Sequence, residues 1–280
     1  MESAAEASYW QRMTVLTEET SRLRLAGAYH RVVAGALGRV WENVFDWEHL
    51  PALHAADFRV VELLDRGRWG WRVRLVNQPG GEARTQVLEL RADRTAGAYC
   101  ATTLSGAGTG TQVRTRLKPL TRSRTAVTVE FHVPEHRPDR LARIGERYVE
   151  IYQRLWDQDE AMIVERERAT RARRRRRPSA PPKSLGSIAS VRVRLPLVVS
   201  FGGERFRILD LDGELIAHAA VCPHWLGPLD ATPVVEGCIR CPWHGYAFEV
   251  RTGRSADGRG LALPPAPKVV VRDGKVLLTR

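Results

Sequence analysis

The sequence predicts an α+β protein of two domains, and three observations indicate this class. The first half contains six stretches in which apolar and polar residues alternate, the period-2 pattern of half-buried strands. A long apolar stripe of helical period follows, from Pro138 to about Arg176. From Pro182 onward, short β-rich stretches separated by turn residues predict a small all-β domain. The predicted boundaries are 1–172 for the first domain, 173–189 for an Arg- and Pro-rich linker, and 190–280 for the second domain.

In the first domain, a helical stretch from Ala36 to Leu50 precedes the strands, which are DFRVVELLDR, RWGWRVRLVN, ARTQVLELRA, GAYCATTL, GTQVRTRLK and RTAVTVEFHV. Two strands carry an apolar face, Trp69, Trp71, Val73 and Leu75 on one and Val127, Val129, Phe131 and Val133 on the other. The glycine-rich segment 106–110 lies between two strands with no helix after it, so a hairpin turn is favoured over a phosphate loop.

The long helix presents an apolar stripe formed by Leu141, Ile144, Tyr148, Tyr152, Leu155, Met162 and Ile163. A helix, an antiparallel sheet and a long C-terminal helix resemble the START-type helix-grip fold. The resemblance implies a curved sheet that wraps the helix around an apolar cavity, and hence a small hydrophobic ligand. The candidate cavity walls are Trp69, Trp71, Tyr99 and Phe131.

The net charge of +12 owes much to the run from Arg171 to Arg177, which is followed by prolines. Such a run can bind nucleic acid or acidic lipid. Because no aromatic residue interleaves it and it falls between two domains, a solvated helix end and linker are favoured, and nucleic-acid binding is not expected. A docking patch for an acidic electron-transfer protein is a third interpretation.

Only four cysteines occur in 280 residues, and no framework of pairs exists, which favours a reducing compartment. The N-terminus is acidic and lacks an apolar signal core, and no apolar run approaches the length of a membrane span. A cytoplasmic protein without a membrane partner is therefore expected.

The second domain contains Cys222-Pro-His224 and, after sixteen residues, Cys241-Pro-Trp-His244. Two thiolates and two imidazoles from two loops are the ligands of a Rieske [2Fe–2S] cluster. A Cys2His2 zinc site is the alternative, but zinc fingers favour Cys–Cys and His–His pairs over mixed ones. The segment from about Ser190 to the C-terminus resembles the Rieske domain family.

The first cluster loop has no second cysteine, so Cys238 is predicted to be a thiol in a strand. High-potential Rieske proteins of respiratory chains carry a loop-to-loop disulfide and a serine soon after the second histidine. Here Gly245 and Tyr246 follow His244. Fewer donors to the cluster sulfurs predict a potential low in the range of about −150 to +300 mV.

A second metal site is predicted from ENVFDWEHLPALH, residues 42–54. Asp46 and His49 are three residues apart and share a helix face, whereas His54 lies roughly 140° around the helix from His49. Pro51 between the histidines allows His54 to be redirected toward His49. Two such histidines are part of the 2-His-1-carboxylate triad of non-haem Fe(II) oxygenases.

The third ligand is predicted on the long helix. Asp159 lies on its apolar stripe, where a carboxylate is costly unless it is paired or metal-bound. Asp157 and Glu160 fall off the stripe and are predicted to be solvated, with Glu160 as the fallback ligand.

Together these features resemble the terminal oxygenase component of Rieske non-haem iron oxygenases, with the domain order reversed. The resemblance implies a mononuclear Fe(II) held by His49, His54 and Asp159, and a [2Fe–2S] cluster held by Cys222, His224, Cys241 and His244. It also implies that Asp46 bridges the two metals for electron transfer and that the protein is a homotrimer. The hypothesis is an oxygenase that receives electrons from a reductase or ferredoxin and uses O2 to oxidise a small hydrophobic substrate.

Two alternatives remain open. The first is a START-like binding protein fused to a Rieske electron-transfer module without mononuclear iron. The second is a regulatory protein that senses redox state or oxygen and binds nucleic acid through the Arg171–Arg177 run.

Overall fold

The computed structural model describes residues 9–10, 23–77, 84–173 and 180–280. The chain packs as two units, Met1–Ile163 and Val164–Arg280, which we call the N-terminal unit and the C-terminal unit. Residues 174–177 of the basic run lie outside the described part of the chain. Within the described part, no helix combines the length and the apolar character that crossing a bilayer would require.

The N-terminal unit contains one seven-stranded antiparallel sheet. Its strands are β1 (Arg24–Val33), β2 (Phe58–Gly67), β3 (Gly70–Asn77), β4 (Arg84–Asp93), β5 (Ala98–Gly106), β6 (Gln112–Thr121) and β7 (Arg124–Val133). The spatial order is β1-β7-β6-β5-β4-β3-β2, so hairpins link β2 through β7 and β1 pairs with β7. The predicted apolar face of β7 is confirmed, since its four alternating residues are all buried. Residues 107–111 form the predicted hairpin turn between β5 and β6.

The helices of this unit are α1 (Leu37–Phe45), α2 (Leu50–Leu53) and α3 (Pro138–Arg173), the last of which continues into the C-terminal unit. The predicted continuous helix from Ala36 to Leu50 is wrong. It ends at Phe45, and Asp46 is extended. In a continuous helix the ring of Pro51 would clash with the carbonyl of Trp47, so the break falls before the proline. Pro51 instead lies in the first turn of α2, where its missing N–H costs nothing.

Helix α3 packs against the sheet within the N-terminal unit. The Phe131 ring stacks on Tyr148 with centroids 5.0 Å apart and meets Tyr152 edge-on at 4.9 Å. Gly145 faces Gly27 of β1, and a Cβ at Gly145 would overlap the carbonyl oxygen of Ala26, so this crossing requires glycine. An antiparallel sheet holding a long helix is the helix-grip architecture that the sequence predicts.

The C-terminal unit is built from three small antiparallel sheets, ordered β11-β10-β9, β12-β13-β14 and β15-β16-β8. Its strands are β8 (Lys183–Ser187), β9 (Leu197–Phe201), β10 (Glu204–Leu211), β11 (Glu214–Ala219), β12 (Val234–Val235), β13 (Cys238–Arg240), β14 (Ala247–Glu249), β15 (Lys268–Arg272) and β16 (Lys275–Thr279). One helix, α4 (Ile188–Val193), interrupts the β-rich stretches predicted from Pro182 onward, and the Ser187 side chain caps its N-terminus. Asp273 and Gly274, both at positive φ, form the hairpin turn between β15 and β16.

Candidate metal centres

Three predicted ligands of the N-terminal unit converge on one point. The Nε2 atom of His54 lies 3.1 Å from Oδ1 of Asp159, and the Nε2 atom of His49 lies 3.4 Å from the same oxygen. All three residues are buried, and one ligand atom from each lies within 4.8 Å of the others. Ligands about 2.1 Å from one metal ion and about 90–110° apart are about 3.0–3.4 Å from each other. The spacing therefore fits a single metal ion.

The break between α1 and α2 brings the two histidines together. His49 is the N-terminal flanking residue of α2 and His54 is its C-terminal flanking residue, so the short helix separates them by one turn. Their rings are 5.1 Å apart at an interplanar angle of 76°. Asp159 reaches them from α3. Sequence reasoning identified these three residues but not the backbone path that joins them.

The second nitrogen of each imidazole also has a defined neighbour. The Nδ1 atom of His54 lies 2.7 Å from Oε1 of Gln158, and Nδ1 of His49 lies 3.3 Å from Oδ2 of Asp46. Both neighbours are acceptors, so they favour the tautomer with the proton on Nδ1. With a metal ion bound beside Asp159, that tautomer would direct each Nε2 lone pair at the ion.

Electrostatics inside this cluster favour an ionised carboxylate. Burial by itself would raise the pKa of Asp159, but the hydrogen bond with His54, the charges of the two histidines and the amide of Asn43 lower it below its ordinary value. Burial would lower the pKa of His49, but Asp46 and Asp159 outweigh burial and raise it. The Nδ2 group of Asn43 donates to Oδ1 of Asp159 at 3.1 Å. Asp159 is thus held as an anion among donors.

The neighbouring acidic residues of α3 do not join the cluster. Glu160, the fallback ligand, accepts from Arg31 at 2.7 Å and from the backbone N–H of Ala34 at 2.7 Å. Asp157 is exposed and also accepts from Arg31, at 2.5 Å. Glu160 was predicted to be solvated, but its side chain is largely buried because Arg31 and the C-terminal end of β1 cover it. The carboxylate with the histidines is that of Asp159.

A cavity of about 890 Å³ lies in the N-terminal unit. Its apolar walls are formed by the sheet and α3, and they include Phe58, Leu75, Leu88, Val113, Tyr152 and Leu155. The four predicted wall residues are not among its lining. Trp71, Tyr99 and Phe131 are packed in the core, and Trp69 lies in the turn before β3, beneath the guanidinium groups of Arg72 and Arg91. Strand alternation predicts which face is buried, but not where packing leaves space.

The C-terminal unit brings together Cys222, His224, Cys241 and His244 on two loops. The first loop follows β11, and the N–H of Cys222 closes it by donating to the carbonyl of Gly227 at 2.8 Å. The second loop joins β13 to β14, and the N–H of Cys241 closes it by donating to the carbonyl of Tyr246 at 2.8 Å. The imidazole rings of His224 and His244 are 4.5 Å apart and perpendicular. Both cysteines and His244 are buried. This donor set fits a [2Fe–2S] cluster with two thiolates on one iron and two imidazoles on the other.

The two sulfur atoms are close enough to interact. The hydrogen bond from Cys222 to Cys241 raises the pKa of Cys222, which burial raises further, and it lowers the pKa of Cys241. Backbone N–H groups of Trp243 and His244 also stabilise the Cys241 thiolate. Gly227 lies against this sulfur, since a Cβ at that position would be 2.7 Å from Sγ of Cys241. The backbone N–H groups stabilise the thiolate form that binds iron, and the glycine leaves room beside the sulfur.

Two aromatic residues and an arginine surround the histidine side of this centre. Tyr246 stacks on His224 with centroids 4.3 Å apart, and Trp225 lies 5.4 Å from His244. The guanidinium of Arg259 lies 3.7 Å from the centroid of the Tyr246 ring and donates to the His244 carbonyl at 3.0 Å. Sequence reasoning missed Arg259, as it missed Gln158 in the first centre, because neither belongs to a recognisable spacing.

The remaining cysteines agree with the sequence. Cys238 is in β13, as predicted, and all four cysteines of the chain are free thiols. Cys100 is buried in β5, and burial raises its pKa to about 11. The described cysteines therefore include no disulfide that would link the two cluster loops.

Comparison with known proteins identifies one family. Residues 184–267 match the Rieske [2Fe-2S] domain. Among curated proteins, apoptosis-inducing factor 3 of Homo sapiens is 36% identical over 63 residues, which are 22% of this chain and 10% of that protein. Cholesterol 7-desaturase of Hemicentrotus pulcherrimus is also 36% identical over 63 residues, which are 21% of this chain and 13% of that protein. The chain thus spans about a tenth of the length of these relatives. Among solved structures, the Zhui aromatase/cyclase of a Streptomyces species is 20% identical, with a TM-score of 0.45 over 53% of this chain and 98% of its own.

The C-terminal part of the chain is therefore a Rieske domain, the kind that carries a [2Fe–2S] cluster, and the N-terminal part has a helix-grip fold. The match to the Rieske domain covers all four predicted cluster ligands.

Proposed function

We propose that this protein is a Rieske-type non-haem iron oxygenase with its mononuclear Fe(II) held by His49, His54 and Asp159. The observation that carries the proposal is the convergence of two Nε2 atoms on one buried carboxylate oxygen, 3.1 and 3.4 Å away. Two histidines and one carboxylate with open positions are the ligand set of non-haem Fe(II) oxygenases. When bound, that iron would supply O2 activation, with electrons arriving through the [2Fe–2S] cluster.

The chain's own residues prepare the site in three ways. Gln158 and Asp46 fix the tautomer and the direction of the two imidazoles. Asn43 orients the Asp159 carboxylate. Burial of all three ligands excludes bulk water and strengthens their electrostatic contacts. The cavity bounded by Phe58 and Leu155 begins next to the ligands, so it is the proposed substrate site.

The partners follow from the same proposal. Rieske proteins exchange electrons with a ferredoxin or a reductase, and such a donor is proposed here. Asp46 is proposed to carry electrons toward the iron, since its carboxylate is 3.3 Å from His49 and only 7% exposed. A homotrimer belongs to the proposal through the resemblance to oxygenases. The name of one relative, a cholesterol 7-desaturase, is that of an enzyme that oxidises an apolar molecule, which supports an oxidative role.

The test is iron quantification together with electron paramagnetic resonance of the anaerobically reduced protein. We expect about three iron atoms per chain, two in the cluster and one mononuclear. Addition of nitric oxide should give a high-spin iron–nitrosyl signal beside the Rieske signal. A Rieske signal with about two iron atoms and no nitrosyl signal would contradict the proposal.

A second candidate function is a START-like binding protein fused to a Rieske electron-transfer module without mononuclear iron. The cavity of about 890 Å³ favours it, because a binding protein needs that space and nothing more. The same metal analysis separates the two functions. Tight ligand binding by a protein with cluster iron alone would favour the binding protein.

Replacing Gln158 by Leu should weaken mononuclear iron binding about 10- to 100-fold, because the acceptor that fixes the His54 tautomer is lost. Gln158→Glu keeps an acceptor at the same place and is the matched control. Iron affinity is measured by titrating Fe(II) into protein from which a chelator has removed the mononuclear iron while the cluster stays intact. Equal affinities for Gln158→Leu and the parent protein would show that this contact does not support the ligand.

A further inference from the structure

The cavity of the N-terminal unit extends along α3. Its lining follows one side of α3 from Arg140 to Leu155, a distance of about 22 Å at 1.5 Å per residue. Its volume of about 890 Å³ is near the upper end of the roughly 300–1,000 Å³ found for ligand pockets. This length and this volume accommodate an extended molecule.

The two ends of the cavity differ in chemistry. At one end, Leu155 lies one helical turn before Asp159, and the Phe58 ring meets His54 with centroids 6.3 Å apart. Both of these wall residues are apolar. At the other end, α3 contributes Arg140, Arg143 and Arg147 to the lining. A molecule that fills the cavity would thus have one end near the metal ligands and the other among guanidinium groups.

The three arginines are only loosely engaged by protein carboxylates. Their ion pairs are Arg140 with Glu135 at 3.8 Å, Arg143 with Asp139 at 3.4 Å, and Arg147 with Glu150 at 3.3 Å. All three guanidinium side chains are more than half exposed, and exposed pairs of this kind contribute only about 0–1 kcal/mol. They can therefore exchange their partners for an incoming anion.

The carboxylates of the cavity do not balance this charge. Among the residues that the structure describes, the carboxylates of the lining are Asp57 and Glu135, and Asp57 is held by a two-point contact with Arg154 at 2.5 and 3.1 Å. Within the described part of the chain, Glu135 is therefore the one lining carboxylate left to face the three guanidinium groups. The distal end is thus positively charged, while the walls leading inward are apolar.

We infer that the cavity binds an elongated organic anion, with its apolar body along α3 and its carboxylate among Arg140, Arg143 and Arg147. Guanidinium groups bind carboxylates by charge-assisted hydrogen bonds, often at two points. One part of the inference rests on the proposed function, namely that the end of the molecule farthest from its carboxylate lies near the iron ligands. The binding itself requires no metal.

The experiment uses 11-(dansylamino)undecanoic acid and its methyl ester as fluorescent probes of matched length. The full-length protein should bind the acid about tenfold or more tightly than the ester, because only the acid gains charge-assisted bonds. The triple variant Arg140→Gln, Arg143→Gln and Arg147→Gln should lose that preference and bind the ester as before. The control is Arg66→Gln, Arg122→Gln and Arg124→Gln, which removes the same charge from exposed positions outside the cavity lining.

Equal affinity for acid and ester in the parent protein would overturn the inference, as would an unchanged preference in the triple variant. An equal loss of preference in the control would also overturn it, because net charge rather than the cavity arginines would then be responsible. Failure of the proposed function looks different. A protein without mononuclear iron that still prefers the acid would keep the inference and reject the oxygenase.

Discussion

Replacing Asp159 by Asn is expected to remove the proposed mononuclear iron and to leave the Rieske cluster intact. Asn has nearly the same shape, but it lacks the negative charge that two imidazoles and the Asn43 amide now surround. Changing a proposed direct ligand should cost at least as much as the 10- to 100-fold loss typical of outer-shell changes, so we expect about a 100-fold or greater loss of iron affinity. Total iron should fall from about three to about two atoms per chain, with an unchanged visible spectrum of the cluster.

Two neighbouring carboxylates provide controls for this variant. Asp157→Asn changes an exposed residue of the same helix that contacts Arg31, and Glu160→Gln changes the fallback ligand. Both should retain the third iron atom and its nitrosyl signal. Loss of that signal in Glu160→Gln, with retention in Asp159→Asn, would mean that the ligand had been assigned to the wrong residue.

Local sequence patterns predicted the residues of the His49, His54 and Asp159 cluster, but not the backbone path that joins them. Asp159 was identifiable because a carboxylate on an apolar stripe is costly without a partner, and this reasoning requires only helical periodicity. The two histidines were identifiable from their spacing. The predicted helix through His49 was wrong, because the helix ends at Phe45, several residues before Pro51. The sequence shows that a proline interrupts the helix, but it does not fix the residue at which the helix ends.

Contacts across distant parts of the chain were not predictable. Gln158 supports His54 across 104 residues, and Arg259 contacts the carbonyl of His244 from a loop with no recognisable spacing. The cavity is a similar case. Alternation in β3 predicted that Trp71 is buried, but whether a buried side chain fills the core or lines a space depends on how α3 packs against the sheet. Burial follows local patterns, whereas cavities follow tertiary packing.

The cluster loops contain a position where one methyl group should have a large effect. Gly227→Ala is expected to reduce the [2Fe–2S] content of the purified protein to well under half of the parent level. The new Cβ would lie 2.7 Å from Sγ of Cys241 and 3.1 Å from the Trp243 ring. Trp243 is buried and the sulfur is a predicted cluster ligand, so neither can retreat without cost. The backbone at Gly227 lies outside the left-handed region, so alanine itself is conformationally tolerated and the effect reports the contact.

The displacement would also reach the other loop ligand. The carbonyl of Gly227 accepts the hydrogen bond that closes the loop at Cys222, so moving Gly227 away from Cys241 pulls on both cysteines of the cluster. Gly213→Ala is the control, because Gly213 has a φ of +85° in the turn after β10 and nothing lies within 4 Å of its added Cβ. That variant should lose roughly 1–2 kcal/mol of stability from left-handed strain and keep its cluster. Iron and acid-labile sulfide analysis decides the outcome: full cluster content in Gly227→Ala would show that the loops have more room around the sulfur than the packing indicates.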